Sequence, residues 1–207
     1  MVTSARERGA TAVLEGIGNR LWGFPPKLMA PIVRQLGPLR ALRWFLWNMP
    51  RYERTLKAFG GLRTHLLSTT ISVINGCPYC TFGHAYAFQL VHLRERGYLF
   101  PLDEHAIGQL RGSAPAVIRD HLVDALQRVN LHGEVPWLDR TIALTLGAEP
   151  RRDEPDDARL AHLVRMFGVL NSVGIASQTA PDEAHDPVNR NRPLKQLYAG
   201  LRAATSM

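Results

Sequence analysis

Residues 62–91 read LRTHLLSTTISVINGCPYCTFGHAYAFQLV, and the fold turns on how this stretch is read. Up to Ile74 the apolar residues recur at three and four rather than alternating, the spacing of a buried helix. Several Thr and Ser interrupt it; Thr69, Thr70 and Ser72 are expected to return hydrogen bonds to helix carbonyls. Asn75-Gly76 is a turn pair that closes the helix. Cys77 opens a second helix, running through Phe88 and Leu93 to about Gly97. The stretch therefore predicts an antiparallel helical hairpin with two cysteines just past its turn.

Strand signals are nearly absent on either side, so the expected class is all-α. Toward the N-terminus the spacing predicts helices over 5–21, 28–36, 39–49 and 51–59, separated at Gly23-Phe24-Pro25-Pro26, Gly37-Pro38, Met49-Pro50 and Gly60-Gly61. Toward the C-terminus it predicts helices near 103–111, 115–131, 136–147, 156–177 and 193–204, with 149–155 as an exposed connector.

The chain has 207 residues, 45% hydrophobic and 21% charged, which describes a globular protein and excludes a disordered one. The first residues lack a continuous apolar segment, so no secretory signal is read, and no run is long enough to span a bilayer. The cytoplasm is the expected compartment. The net charge of +7 is uneven. Residues 1–65 hold eleven Lys/Arg against three Asp/Glu, whereas 66–207 hold fourteen against fifteen. On this basis 1–50 is read as a basic helical extension packed on the core and 51–207 as the main helical domain. Within the extension, Trp44, Phe45, Leu46 and Trp47 lie among Arg40, Arg43 and Arg51. Trp and Arg favour subunit contacts, so a homo-oligomer is expected, with contact to an anionic membrane surface as the lesser alternative. No nucleic-acid-binding module is recognisable.

Both cysteines of the chain, Cys77 and Cys80, fall in one four-residue stretch. A disulfide across so short a gap restricts the unfolded chain very little, so the pair reads as a redox or metal centre. At about 100° per residue Cys77, Cys80 and His84 form one stripe roughly 60° wide. The start of a helix and a neighbouring imidazole both lower a thiol pKa. If the hairpin closes about Asn75-Gly76, His65 becomes level with about residue 86 at ~1.5 Å per residue, within a turn of His84. The candidate site is therefore Cys77, Cys80, His84 and His65. The same four side chains are also a possible tetrahedral zinc set. His92, His105, His121, His132, His162 and His185 show no partner pattern and read as surface or core residues.

The stretch VINGCPYCTFGHAYA resembles the signature of the alkyl hydroperoxidase D-like branch of the carboxymuconolactone decarboxylase superfamily, firmly over residues 62–91 and only generically beyond them. The resemblance implies an alkyl hydroperoxidase D-like helical domain over 51–207 and a thiol-dependent peroxidase needing no cofactor. It makes Cys80 the thiol that becomes a sulfenic acid and Cys77 its resolving partner, which exchanges with a dithiol reductant protein. His84 becomes the histidine of the proton relay. At residue 65 the chain departs from the pattern. Members of the peroxidase branch carry Glu twelve residues before the first cysteine, and here that position is His65. A histidine supplies no negative charge, so the relay is expected to lack its carboxylate. An enzyme of the same superfamily acting on a small carbonyl or lactone is the enzymatic alternative. A zinc-stabilised helical protein is the non-enzymatic one.

Overall fold

The computed structural model describes residues 4–205, whose regular structure is all helical with no strand among them. Ten α-helices follow in order: α1 (Ala5–Trp22), α2 (Met29–Leu36), α3 (Pro38–Phe59), α4 (Gly61–Ile74), α5 (Pro78–Arg96), α6 (Glu104–Gln109), α7 (Pro115–Arg128), α8 (Val135–Thr145), α9 (Pro155–Ala176) and α10 (Arg192–Thr205). Two 3₁₀ turns, His132–Glu134 and Pro187–Arg190, complete the set. Among the described residues no helix is long and apolar enough to cross a membrane.

The α4–α5 hairpin is the centre of the molecule. Residues 64–73 of α4 are all buried, so the Thr and Ser among them must find partners inside the protein. Thr64 and Thr70 donate to the carbonyls of Gly60 and Leu66 at 2.8 and 2.9 Å. Thr69 and Ser72 do not return such bonds, contrary to expectation, and their hydroxyls have no partner among the described residues. The helix ends where Gly76 takes φ +79°, a conformation that favours glycine. The Cys77 N–H then donates to the Ser72 carbonyl at 3.0 Å, closing the turn.

Two hydrophobic cores flank this hairpin. Leu62, Leu66, Phe88 and Leu90 face α6, α7, α8 and α10 in one. In the other, Ile71, Cys77, Tyr79 and Cys80 join Leu14 of α1, Ile32 of α2, Phe45 of α3 and Phe167 of α9. The N-terminal helices thus form one wall of the chamber that holds the cysteines.

The break expected at Met49-Pro50 is absent. Helix α3 continues through Pro50, so a boundary between residues 50 and 51 falls inside one helix. Proline removes one backbone donor and crowds the preceding turn. Pro50 and Leu46 are both exposed, which leaves the carbonyl freed by the proline toward water. Beside it, Asn48 and Arg51 donate from their side chains to the carbonyls of Trp44 and Trp47 at 2.8 and 3.2 Å.

Candidate active site

The second helix of the hairpin begins one residue later than the spacing implies. Cys77 is the N-cap of α5, with extended backbone (φ −82°, ψ 113°), and Pro78 is the first helical residue. A helical wheel therefore does not apply to Cys77. Its sulfur lies against α9, where a β-carbon on Gly174 would come within 2.8 Å of Sγ. Cys80 and His84, four residues apart on α5, line a common cavity of about 40 Å³ with Trp22, Tyr52, Phe167 and His185. That volume holds a few oxygen-sized atoms. Both thiols are free and buried.

The two sulfurs divide one proton unevenly. The Cys77 pKa falls to about 7, chiefly because the Cys80 thiol hydrogen-bonds to it. Burial opposes that fall, while the N–H groups of Cys80 and Tyr79 assist it. The Cys80 N–H lies 3.5 Å from Cys77 Sγ, as expected when an N-cap group receives an unpaired donor of the first turn. Cys80 moves the other way: its bond to Cys77, burial, and the charges of Cys77 and Asp182 hold it well above the usual thiol range. The acidifying effect of the helix start falls on Cys77, and Cys80 retains its proton.

His65 and His84 meet across the hairpin, as the register required. Their Nδ1 atoms are 3.2 Å apart and their rings are stacked at 5.4 Å. The other nitrogen of His65, Nε2, lies 2.8 Å from Asp186 Oδ2. A carboxylate, that of Asp186, therefore stands beside His65, where the sequence reading expected none. Burial raises the Asp186 pKa, but the hydrogen bonds it accepts from His65 and from the N–H of Val188 outweigh it and hold the group ionised. A carboxylate only accepts, so His65 Nε2 carries the hydrogen. In neutral His65 the Nδ1 is then an acceptor, and His84 Nδ1–H donates to it. His84 Nε2 is left with its lone pair, on the ring that shares the cavity with Cys80.

A second pair converges on the same cavity. His185 Nε2 lies 3.1 Å from Asp182 Oδ1, and Tyr79 Oη donates to Asp182 Oδ2 at 2.8 Å. The His185 ring stacks on Trp22 at 5.4 Å and meets His84 edge-on at 5.2 Å. Tyr52, which also lines the cavity, has a buried hydroxyl whose contact with the Ser68 hydroxyl falls short of a well-formed hydrogen bond among the described residues. Burial pushes its pKa far up, followed by the charges of Asp186 and Glu53, so it remains a donor. None of Tyr52, Asp182, His185 or Asp186 was singled out from sequence, and His185 was read as surface or core.

The four side chains read as a possible zinc set are not drawn together as ligands in this structure. Both nitrogens of His65 are engaged, Cys77 turns toward α9, and among the described residues no three His, Cys, Asp or Glu side chains gather as metal ligands would. Comparison of the chain with family models, curated proteins and solved structures finds no match.

His84 makes stability depend on pH. Burial, then the imidazoles of His185 and His65, hold its pKa well below the usual 6.5. The unfolded chain takes up a proton near pH 6.5 that the folded chain refuses, so stability falls as pH drops below that value. His92 and His162 are shifted in the same direction and add to the slope. Thermal midpoints between pH 7 and 5 should therefore decline in the wild type and decline less in His84→Gln. Equal slopes in the two proteins would contradict a buried neutral His84.

Proposed function

We propose that the chain is a dithiol oxidoreductase of the alkyl hydroperoxidase D-like type, reducing a hydroperoxide at Cys80. The observation that supports this most is the unbroken line Asp186–His65–His84, which ends in the cavity that Cys80 lines.

In the proposed cycle His84 Nε2 takes the Cys80 proton as the sulfur attacks the distal oxygen of the hydroperoxide. An S–O bond forms and the O–O bond breaks, giving Cys80 sulfenic acid and an alkoxide. Charge need not stay on the buried His84 ring. As Nε2 gains a proton, Nδ1–H passes to His65 Nδ1, and the positive charge rests opposite the Asp186 carboxylate. The relay then returns a proton to the alkoxide, which leaves as an alcohol. Tyr52 Oη donates to the substrate oxygen.

Cys77 is suited to the second step because its lowered pKa makes about half of it thiolate at neutral pH, far more than an ordinary thiol. It attacks the Cys80 sulfur, forming the Cys77–Cys80 disulfide and expelling hydroxide, which takes up a proton as water. Two thiols and one hydroperoxide give one disulfide, one alcohol and one water. A dithiol reductant restores the thiols. Cys77 has no exposed surface, so that exchange follows a movement of α9 at Gly174.

Single-cysteine variants test the division of roles. With peroxide and dimedone, Cys77→Ser should accumulate a dimedone adduct at residue 80, because nothing resolves the sulfenic acid. Cys80→Ser should give no adduct. An adduct on Cys77 in Cys80→Ser, with none in Cys77→Ser, would reverse the assignment.

A further inference from the structure

The cavity beside Cys80 is too small for more than the reacting end of a substrate, yet it has a large apolar neighbour. A groove of about 450 Å³ runs between α1, α2 and α3, within the size range of small-molecule sites. Twelve residues line it, none of them charged. Trp22, Met29, Phe45 and Met49 line both the groove and the cavity, so these four side chains stand between surface and site. Two are methionines, whose unbranched side chains repack readily around a ligand. The walls at the open side, Ile17 and Leu46, are 42% and 74% exposed.

The rim has the opposite chemistry. Leu46 separates the groove from a shallower depression lined by Arg40, Arg43, Trp44, Trp47 and Asn48. Among the described residues no ion pair is formed by Arg40 or Arg43. An occupant complementary to this surface has an uncharged aliphatic chain for the groove and an anionic head for the two arginines.

We propose that the α1–α2–α3 groove binds the aliphatic chain of a free fatty-acid-type substrate, carboxylate at Arg40 and Arg43, with a hydroperoxide carried on the chain presented to Cys80. This rests on the dithiol reading of the site and names its substrate class. The redox step is the one given above, with the fatty-acid hydroperoxide as oxidant and the hydroxy fatty acid as product.

The full chain is titrated with straight-chain fatty acids of increasing length, read by displacement of a fluorescent fatty acid. Affinity should tighten by about fourfold per added methylene until the groove is filled. Ile17→Glu sets a carboxylate in the apolar wall and should weaken binding by about tenfold or more. Val117→Glu is the control, since Val117 is 43% exposed on α7 and lines neither the groove nor the arginine depression. It should bind as the wild type does. With hydrogen peroxide the wild type and Val117→Glu should oxidise equally fast, and with a long-chain fatty-acid hydroperoxide Ile17→Glu should be about tenfold slower than either.

No fatty-acid binding, or no dependence on chain length, overturns the proposal. So does loss of self-association in Ile17→Glu with fatty-acid binding intact, which would make the face a contact between copies of the chain. Binding to anionic vesicles in preference to free fatty acid overturns it in favour of a membrane surface. Dithiol oxidation by hydrogen peroxide without fatty-acid binding removes the groove assignment and leaves the dithiol reading. Chain-length-dependent binding to a protein whose thiols stay inert removes the dithiol reading instead.

Discussion

Replacing Asp186 with Asn is expected to slow oxidation of the dithiol by about 100-fold while leaving the fold in place. Asn has nearly the same shape, and its Oδ1 can still accept the Val188 N–H, which lies 2.7 Å from Asp186 Oδ1. That bond starts the 3₁₀ turn Pro187–Arg190 and fixes which way the amide faces. The Nδ2 group then points at His65 Nε2, where a carboxylate oxygen stood. Two donors cannot face each other, so His65 must place its hydrogen on Nδ1. His84 Nδ1 becomes the acceptor and His84 Nε2 takes the hydrogen. The base beside Cys80 is lost through a change of tautomer two residues away, and the charge that would stabilise a protonated His65 is lost with it. Nitrogen-15 shifts of the two imidazoles should show the exchange, with His84 protonated on Nδ1 in the wild type and on Nε2 in Asp186→Asn. Wild-type rates in a variant with unchanged melting would show that Asp186 has no part in the relay.

Gly83→Ala should destabilise the protein by roughly 1–3 kcal/mol and slow oxidation as well. Helix propensity alone predicts the opposite sign, since Ala in mid-helix is favoured over Gly by about 1 kcal/mol. Packing decides the outcome. A β-carbon at residue 83 would lie 2.3–2.5 Å from three atoms of the His185 ring, and the ring is confined by Trp22, Tyr79 and Asp182. The His185 N–H also donates to the Gly83 carbonyl at 3.0 Å, so the backbone has little room to withdraw. Moving His185 drags its neighbour Asp186 away from His65. A melting temperature equal to or above the wild type's would mean that the ring gives way without cost.

Much of this site was legible because a hairpin has a register. Counting back from Asn75-Gly76 brings His65 to His84 without any knowledge of the rest of the chain, and the two imidazoles do meet. The same periodicity misplaces Cys77, because a wheel assumes that the helix has already begun. An N-cap residue with extended backbone points its side chain elsewhere. At Pro50 the break rule failed because the proline sits on a water-facing side of α3, where the freed carbonyl needs no protein partner.

Asp182, His185 and Asp186 were missed for a different reason. They lie between α9 and α10, where residues 178–191 carry no helical period and so give the pattern nothing to read. Irregular segments positioned by rigid helices are a frequent source of catalytic groups. The available signal was chemical. A histidine standing where a carboxylate is expected calls for an acid from elsewhere, and DEAHDP at 182–187 pairs His with Asp twice within six residues. That the site would also include the wall built by α1, α2 and α3 was not legible, because amphipathic helices do not specify what they cover.

The central claim is that the buried Cys77 and Cys80 form a two-electron redox centre. Intact mass of the fully reduced wild-type protein, before and after one equivalent of a hydroperoxide, tests it most directly. The expected result is the loss of two hydrogens from each chain, mapped to a Cys77–Cys80 disulfide and reversed by a dithiol. Thiols that remain unchanged under excess hydroperoxide would contradict it.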